Sequence, residues 1–181
     1  EISLGLVGSE MCIRDRPTGL VVYYTRVILW PVYFLTGGRT MISTKGRYSI
    51  RVLLDLAEHR SGDFIPMKEV AARQDISLKY IERLMPALKS AGLVESVHGI
   101  GGGYRLTREP EDYTLWEILE LAEGDLAPVT CLQPDAPVCQ RAGECRTLGV
   151  WQGYYKLTQD YFSHITLADL MNAPAGDNYV I

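Results

Sequence analysis

Histidine and cysteine are scarce in this chain of 181 residues, with 3 and 4 respectively. The three histidines, His59, His98 and His164, fall in separate segments. No Ser/His/Asp set or paired-carboxylate spacing accompanies them, so an enzymatic role is not expected. No uninterrupted apolar run reaches the roughly 20 residues a membrane-spanning helix needs. No charged, apolar and small-residue leader of the secretory kind stands at the start, so the few cysteines point to a reducing cytoplasm. Close Cys-x2-Cys pairs are missing too, which argues against a zinc ribbon. Internal repeats and low-complexity tracts are absent. What remains is 47% hydrophobic and 22% charged, the make-up of a globular protein with a real core.

Residues 1–40 stand apart. EISLGLVGSEMCIRDR resembles a translated sequencing-adapter remnant, and PTGLVVYYTRVILWPVYFLTGGRT is apolar but broken by Arg26 and Pro31. We read 1–40 as an upstream, non-native extension ahead of a start at Met41, with a membrane anchor as the competing reading. Cys12 is set aside with it. The remaining charge is unevenly spread. Residues 41–108 carry 11 Lys+Arg against 7 Asp+Glu, a formal +4, and residues 109–181 carry 3 against 12, a formal −9. A basic front half suits a polyanion-binding module.

ISTKGRYSIRVLLDLAEH offers Ser43 or Thr44 as a helix cap, followed by Ile50, Leu53, Leu54 and Ala57 at helical spacing. IPMKEVAARQD predicts a short second helix beginning near Pro66. ISLKYIERLMPALKSAGL predicts a third, capped by Ser77 and ended by Ala91-Gly92, with Tyr80, Ile81, Leu84 and Leu88 inward and a bend or break at Pro86. Its outward residues are Lys79, Glu82 and Arg83. Two short helices joined by a tight turn match a helix-turn-helix.

LVESVHGIGGGYRLT then reads as strand, glycine tip and returning strand, a wing directly after the recognition helix. Gly99, Gly101, Gly102 and Gly103 are expected to supply positive φ and close approach to phosphate, with Tyr104 just beyond. A dinucleotide loop would open a helix at this point, and Tyr104-Arg105-Leu106 look extended instead. YTLWEILELAEG predicts another helix. Three cysteines follow in the spacing C-x7-C-x5-C: Cys131, Cys139 and Cys145. Leu148, Trp151, Tyr155, Thr158, Phe162 and Ile165 then alternate at spacings of three and four, a seam expected to join two subunits.

STKGRYSIRVLLDLA, ISLKYIERLMPALKSAGLVESVHGIGGGYRL, the spaced cysteines and ITLADL together resemble the IscR, NsrR and CymR group of bacterial winged-helix regulators, from about Met41 to Met171. The resemblance implies a mainly α fold with a two-stranded wing and a long C-terminal dimerisation helix. It divides the chain into a winged helix-turn-helix domain (41–126), a cysteine loop (127–146), a dimerisation helix (147–171) and a tail (172–181). It implies a homodimeric regulator, a repressor by expectation, reading a partly palindromic double-stranded operator. In many members an iron–sulfur cluster on three loop cysteines alters DNA affinity, so a [2Fe–2S] or [4Fe–4S] cluster on Cys131, Cys139 and Cys145 is implied.

Recognition contacts would come from Ser77, Lys79, Tyr80 and Glu82, with Arg83 beside them. The wing contacts would be His98, Gly101, Gly102 and Tyr104, and Lys45, Arg47 and Arg51 would clamp phosphates. There are departures from the family pattern. The first cysteine interval is longer than usual, Leu148 stands where a histidine is common, and Arg47 replaces the acidic residue of the nitric-oxide branch. His98 in place of arginine lacks the guanidinium fork that reads guanine. With Leu148 unable to ligate, Glu144, Asp135, an exogenous thiol or a partner residue would complete a cubane cluster. A cluster-free regulator answering to a metabolite or a partner protein is one alternative. A thiol redox or metal protein that binds no DNA is the other.

Overall fold

The computed structural model describes residues 42–99 and 101–174. The expectations for residues 1–40 and for Ile100, and those for the tail beyond Pro174, lie outside these residues. Ser43 opens the first helix, α1 (Thr44–Glu58), its hydroxyl accepting the Lys45 N–H. The helix α2 (Met67–Gln74) starts from Pro66 and stops at Asp75, whose φ of 51° places it in the left-handed region that asparagine and aspartate tolerate. Ser77 then caps α3 (Leu78–Ser90), accepting the Tyr80 N–H at 3.3 Å. Pro86 does not break α3, which is continuous through it.

The wing consists of β1 (Val94–Val97) and β2 (Gly103–Leu106), paired antiparallel with Glu95 opposite Arg105. Ile65 extends it by bonding both ways with the Tyr104 backbone at 2.9 Å. Of the four tip glycines, Gly99 and Gly101 have positive φ and Gly102 and Gly103 do not. Gly102 and Gly103 are needed for another reason. A Cβ on Gly102 would stand 2.5 Å from the Val97 carbonyl oxygen, and one on Gly103 would overlap the Ile65 backbone.

Helix α4 (Leu115–Glu123) packs on α1, and its buried Leu115 and Ile118 join Val52, Leu53, Leu56, Val70, Ile81, Leu88 and Leu93 in one core, while Leu119 joins Trp116 and Leu126 in a second cluster. Each such side chain contributes about 1.5–3 kcal/mol by leaving water. Tyr113 is fully buried, and its hydroxyl donates to the Leu93 carbonyl at 2.7 Å while accepting the Thr107 and Arg108 N–H groups. That hydroxyl ties the root of the wing to the approach of α4.

The C-terminal span is not one helix over 147–171. It divides into α5 (Leu148–Ser163) and α6 (Leu167–Asn172), because Thr166 and Asp169 form a capping box that starts a new helix. The break lets Thr166 bridge to Thr114 and returns α6 to α1. The expected seam is also redistributed. Tyr155 meets Trp116 edge to face at 5.9 Å, Thr158 is buried and Phe162 packs under α4, so these face their own subunit. The solvent-facing side of α5 carries Val150, Trp151, Tyr154, Leu157 and Tyr161, with Leu157 at 69% and Tyr161 at 62% exposure. Among the described residues no helix is long and apolar enough to cross a membrane.

Candidate nucleic-acid interface and cysteine loop

Beneath the helix-turn-helix lies a buried carboxylate. Asp55 of α1 has no exposure and accepts from Arg73 Nε at 3.1 Å, Arg73 Nη2 at 2.6 Å and Gln74 Nε2 at 2.9 Å. The hydrogen bond to Asp55 raises the already high Arg73 pKa, so the guanidinium stays charged. Arg51 donates to the Gln74 side chain at 3.1 Å and to the Gln74 carbonyl. The end of α2 is thereby fixed to α1, and the turn presents α3 at a set angle.

On α3, Lys79, Glu82 and Arg83 are exposed, as expected, and so are Ser77 and Leu78. Tyr80 is half-buried, its ring edge-on to Tyr48 at 5.4 Å. Lys45 and Arg47 are exposed on the first turn of α1, Arg47 donating to the Thr44 hydroxyl at 3.2 Å. Arg51 also faces solvent, but its guanidinium is engaged with Gln74 and lies 5.5 Å from the Tyr48 ring centre, so it braces the motif as well as carrying charge.

In the wing, His98 and Gly101 are exposed. The Gly102 N–H is not open to a phosphate, because it donates to the Gly99 carbonyl at 2.9 Å. Tyr104 is half-buried against the core with its backbone spent on Ile65, which makes it a strut of the wing. Arg105 pairs with Glu95 at 2.6 Å and stacks over Phe64. Lys89 Nζ donates to the Ser96 hydroxyl at 2.6 Å, a helix-to-wing brace that sequence reasoning passed over.

Cys131, Cys139 and Cys145 are exposed free thiols on a loop that holds only two single 3-10 turns, Thr130–Leu132 and Ala142–Glu144. Among the described residues no group of three His, Cys, Asp or Glu stands together as a metal site. The donor chemistry suits an iron–sulfur cluster, since three thiols share one loop. Their present placement does not converge, and holding a cluster would require the loop to close. The Thr147 hydroxyl, 3.5 Å from the Cys145 sulfur, lowers that thiol's pKa. Leu148 is half-buried and apolar, while Glu144 and Asp135 are exposed.

Residues 42–173 match the family described as Rrf2, iron-dependent transcriptional regulator. The chain is 38% identical over 130 residues to the protein rrf2 of Nitratidesulfovibrio vulgaris, covering 72% of this chain and 86% of that one. It is 33% identical over 140 residues to the HTH-type transcriptional regulator IscR of Vibrio campbellii, covering 77% and 80%. The solved structure of CymR, the global cysteine regulator of B. subtilis, aligns with a TM-score of 0.59 at 31% identity, over 72% of this chain and 95% of that one.

Proposed function

Because the chain belongs to the Rrf2 family of transcriptional regulators, we propose that it grips duplex DNA as a homodimer and that its cysteine loop sets the grip. The observation that carries this reading is the exposed Lys79–Glu82–Arg83 face of α3 beside a glycine-tipped wing, within the basic half of the chain. Lys79 and Glu82 are placed for base edges in the major groove, where a good side-chain contact discriminates by about 1–3 kcal/mol. Lys45, Arg47 and Arg51 meet phosphates, as does the wing through His98 and Gly101. Ser77, Gly102 and Tyr104 hold those contacts in place, and Tyr80 contributes from its position on Tyr48.

The apolar α5 face of Val150, Leu157 and Tyr161 is the surface on which a second copy sits. Two recognition helices related by the dimer axis would enter successive major grooves about 34–36 Å apart, on a partly palindromic operator. Blocking polymerase access there makes the protein a repressor, working in the cytoplasm.

Cys131, Cys139 and Cys145 are the residues that would hold an iron–sulfur cluster, and the cluster when bound supplies redox and loss chemistry at the loop. The exposure of all three thiols supports a labile site. A second reading is favoured by the same loop: with the sulfurs dispersed and Leu148 apolar, a cluster-free regulator answers to a metabolite or a partner protein.

Anaerobic purification with iron and sulfide analysis, then gel shifts on the DNA upstream of its own gene, separates the two. Colourless, iron-free protein that still binds this DNA selects the cluster-free reading. Failure to bind any duplex more tightly than bulk DNA overturns both.

A further inference from the structure

Glu123 is an acid at the C-terminal end of α4, where the helix dipole disfavours negative charge. The structure gives its reason for being there. One carboxylate oxygen, Oε1, accepts the Ser43 N–H at 2.9 Å, the Ser43 hydroxyl at 2.9 Å and the Gly46 N–H at 3.2 Å. These donors belong to the opening of α1, where unsatisfied N–H groups and the positive dipole end favour an anion. The carboxylate sits so close that a Cβ on Gly46 would overlap it, which explains a buried glycine inside the first turn of α1. Ser43 already caps Lys45 with its own oxygen, so Glu123 fixes the cap itself.

Lys45 and Arg47, exposed on that same turn, flank Gly46 directly. Below Glu123 the chain passes through Gly124 at φ 84° to Asp125, whose Oδ1 accepts the Ala127 N–H at 2.9 Å and the Tyr155 hydroxyl at 3.4 Å. The turn carrying the two cations is thus pinned from the segment that leads into the cysteine loop.

We infer that Glu123 is a positioning residue for DNA binding: its carboxylate holds the first turn of α1 so that Lys45 and Arg47 reach phosphates together. The inference rests on the phosphate role proposed above for those two cations. A side chain held on a fixed turn reaches its phosphate without first ordering the backbone, whereas a frayed turn spends binding energy on that ordering. Nothing else in the described contacts of α1 caps this end from outside the helix.

The test is the salt dependence of binding to a random-sequence duplex of about 30 base pairs, since each phosphate contact contributes about 0.9 to the slope of log K against log salt. Lys45→Ala/Arg47→Ala should flatten the slope by about two units per subunit. Glu123→Ala should flatten it in the same direction and add nothing when combined with Lys45→Ala/Arg47→Ala. Gly46→Ala, which leaves Glu123 in the chain but displaces its carboxylate, should reproduce the effect. It also keeps the inference testable should Glu123→Ala fold poorly. Glu123→Gln, which retains an acceptor oxygen, should sit between.

A wild-type slope in both Glu123→Ala and Gly46→Ala would overturn the positioning role while leaving the phosphate contacts standing. Flattening that adds to that of Lys45→Ala/Arg47→Ala would also overturn it, because Glu123 would then act elsewhere. An unchanged slope in Lys45→Ala/Arg47→Ala itself would remove the phosphate assignment first and the positioning role with it.

Discussion

Removing Arg73 should damage this protein more than removing the carboxylate it serves. Asp55 has no solvent exposure, whereas the Arg73 side chain keeps 29% of its own and has Glu69 at 3.5 Å as a second partner. Arg73→Ala therefore strands a buried negative charge, which costs about 3–5 kcal/mol. The Gln74 amide at 2.9 Å remains to solvate that charge, which places the expected loss near 3 kcal/mol. Asp55→Ala strands a cation that can turn to water or to Glu69, so only the hydrogen bonds are lost, about 1.5–3 kcal/mol. The double variant buries no unpaired charge and should be less damaged than Arg73→Ala alone.

Urea unfolding followed by far-UV circular dichroism measures all three. With a slope of about 1–3 kcal/mol per molar, Arg73→Ala should lower the midpoint by between about 1 and 3 M. The reasoning fails if Asp55→Ala is the worse of the two, or if the double variant loses the sum of both singles. Because Gln74 also receives Arg51, the surviving turn of Arg73→Ala should hold α3 less firmly, and DNA affinity should fall along with stability.

Other substitutions address the wing, the α5 face and the C-terminal cap. Gly103→Ala forces a Cβ into the Ile65 backbone, which cannot yield, so it should cost about 1–3 kcal/mol. Gly143→Ala, in open space, should change stability by less than about 0.5 kcal/mol in the same melts. Leu157→Glu places a charge in the middle of the exposed α5 face. Sedimentation velocity should show a monomer whose helix content is unchanged, and a persisting dimer would move the interface elsewhere. Asp169 is held below the ordinary carboxylate range, chiefly by the Thr166 backbone N–H. Its stabilising effect is therefore complete above the unfolded carboxylate value and is lost as pH falls through the lower folded value. Asp169→Asn should remove that part of the acid dependence in melts taken across the range, and an unchanged profile would rule the cap out as its source.

Much of this architecture is written in short windows of sequence. Ser43 and Ser77 announce their helices because a cap acts on backbone two or three residues away. The tip glycines between two apolar, extended runs announce a hairpin for an equally local reason. The helix-turn-helix, the wing and the exposed Lys79–Glu82–Arg83 face were all legible on that basis. The conformation of each glycine was not. Gly102 and Gly103 were expected to need positive φ, yet their constraint is the nearness of other backbone, that of Val97 and Gly99 in the same hairpin for Gly102 and that of the distant Ile65 for Gly103. Periodicity also located an apolar stripe on α5 without saying which surface would meet it. Trp116 and Leu126 take up Tyr155 and Phe162, and that leaves the neighbouring stripe bare.

By itself, then, the order of residues determined the helices, the wing, the basic half and the presence of three thiols in one loop, because caps, turn chemistry and charge act over a few positions. Only the folded chain decided that Asp55 is sealed beneath Arg73, that Glu123 reaches across 80 positions to Ser43, that Arg51 is a brace and that the sulfurs stand apart. Those are pairings between segments far apart along the backbone. Their energies come from burial and from hydrogen bonds that exist only after α1, α2 and α4 have packed, so no window of sequence contains them.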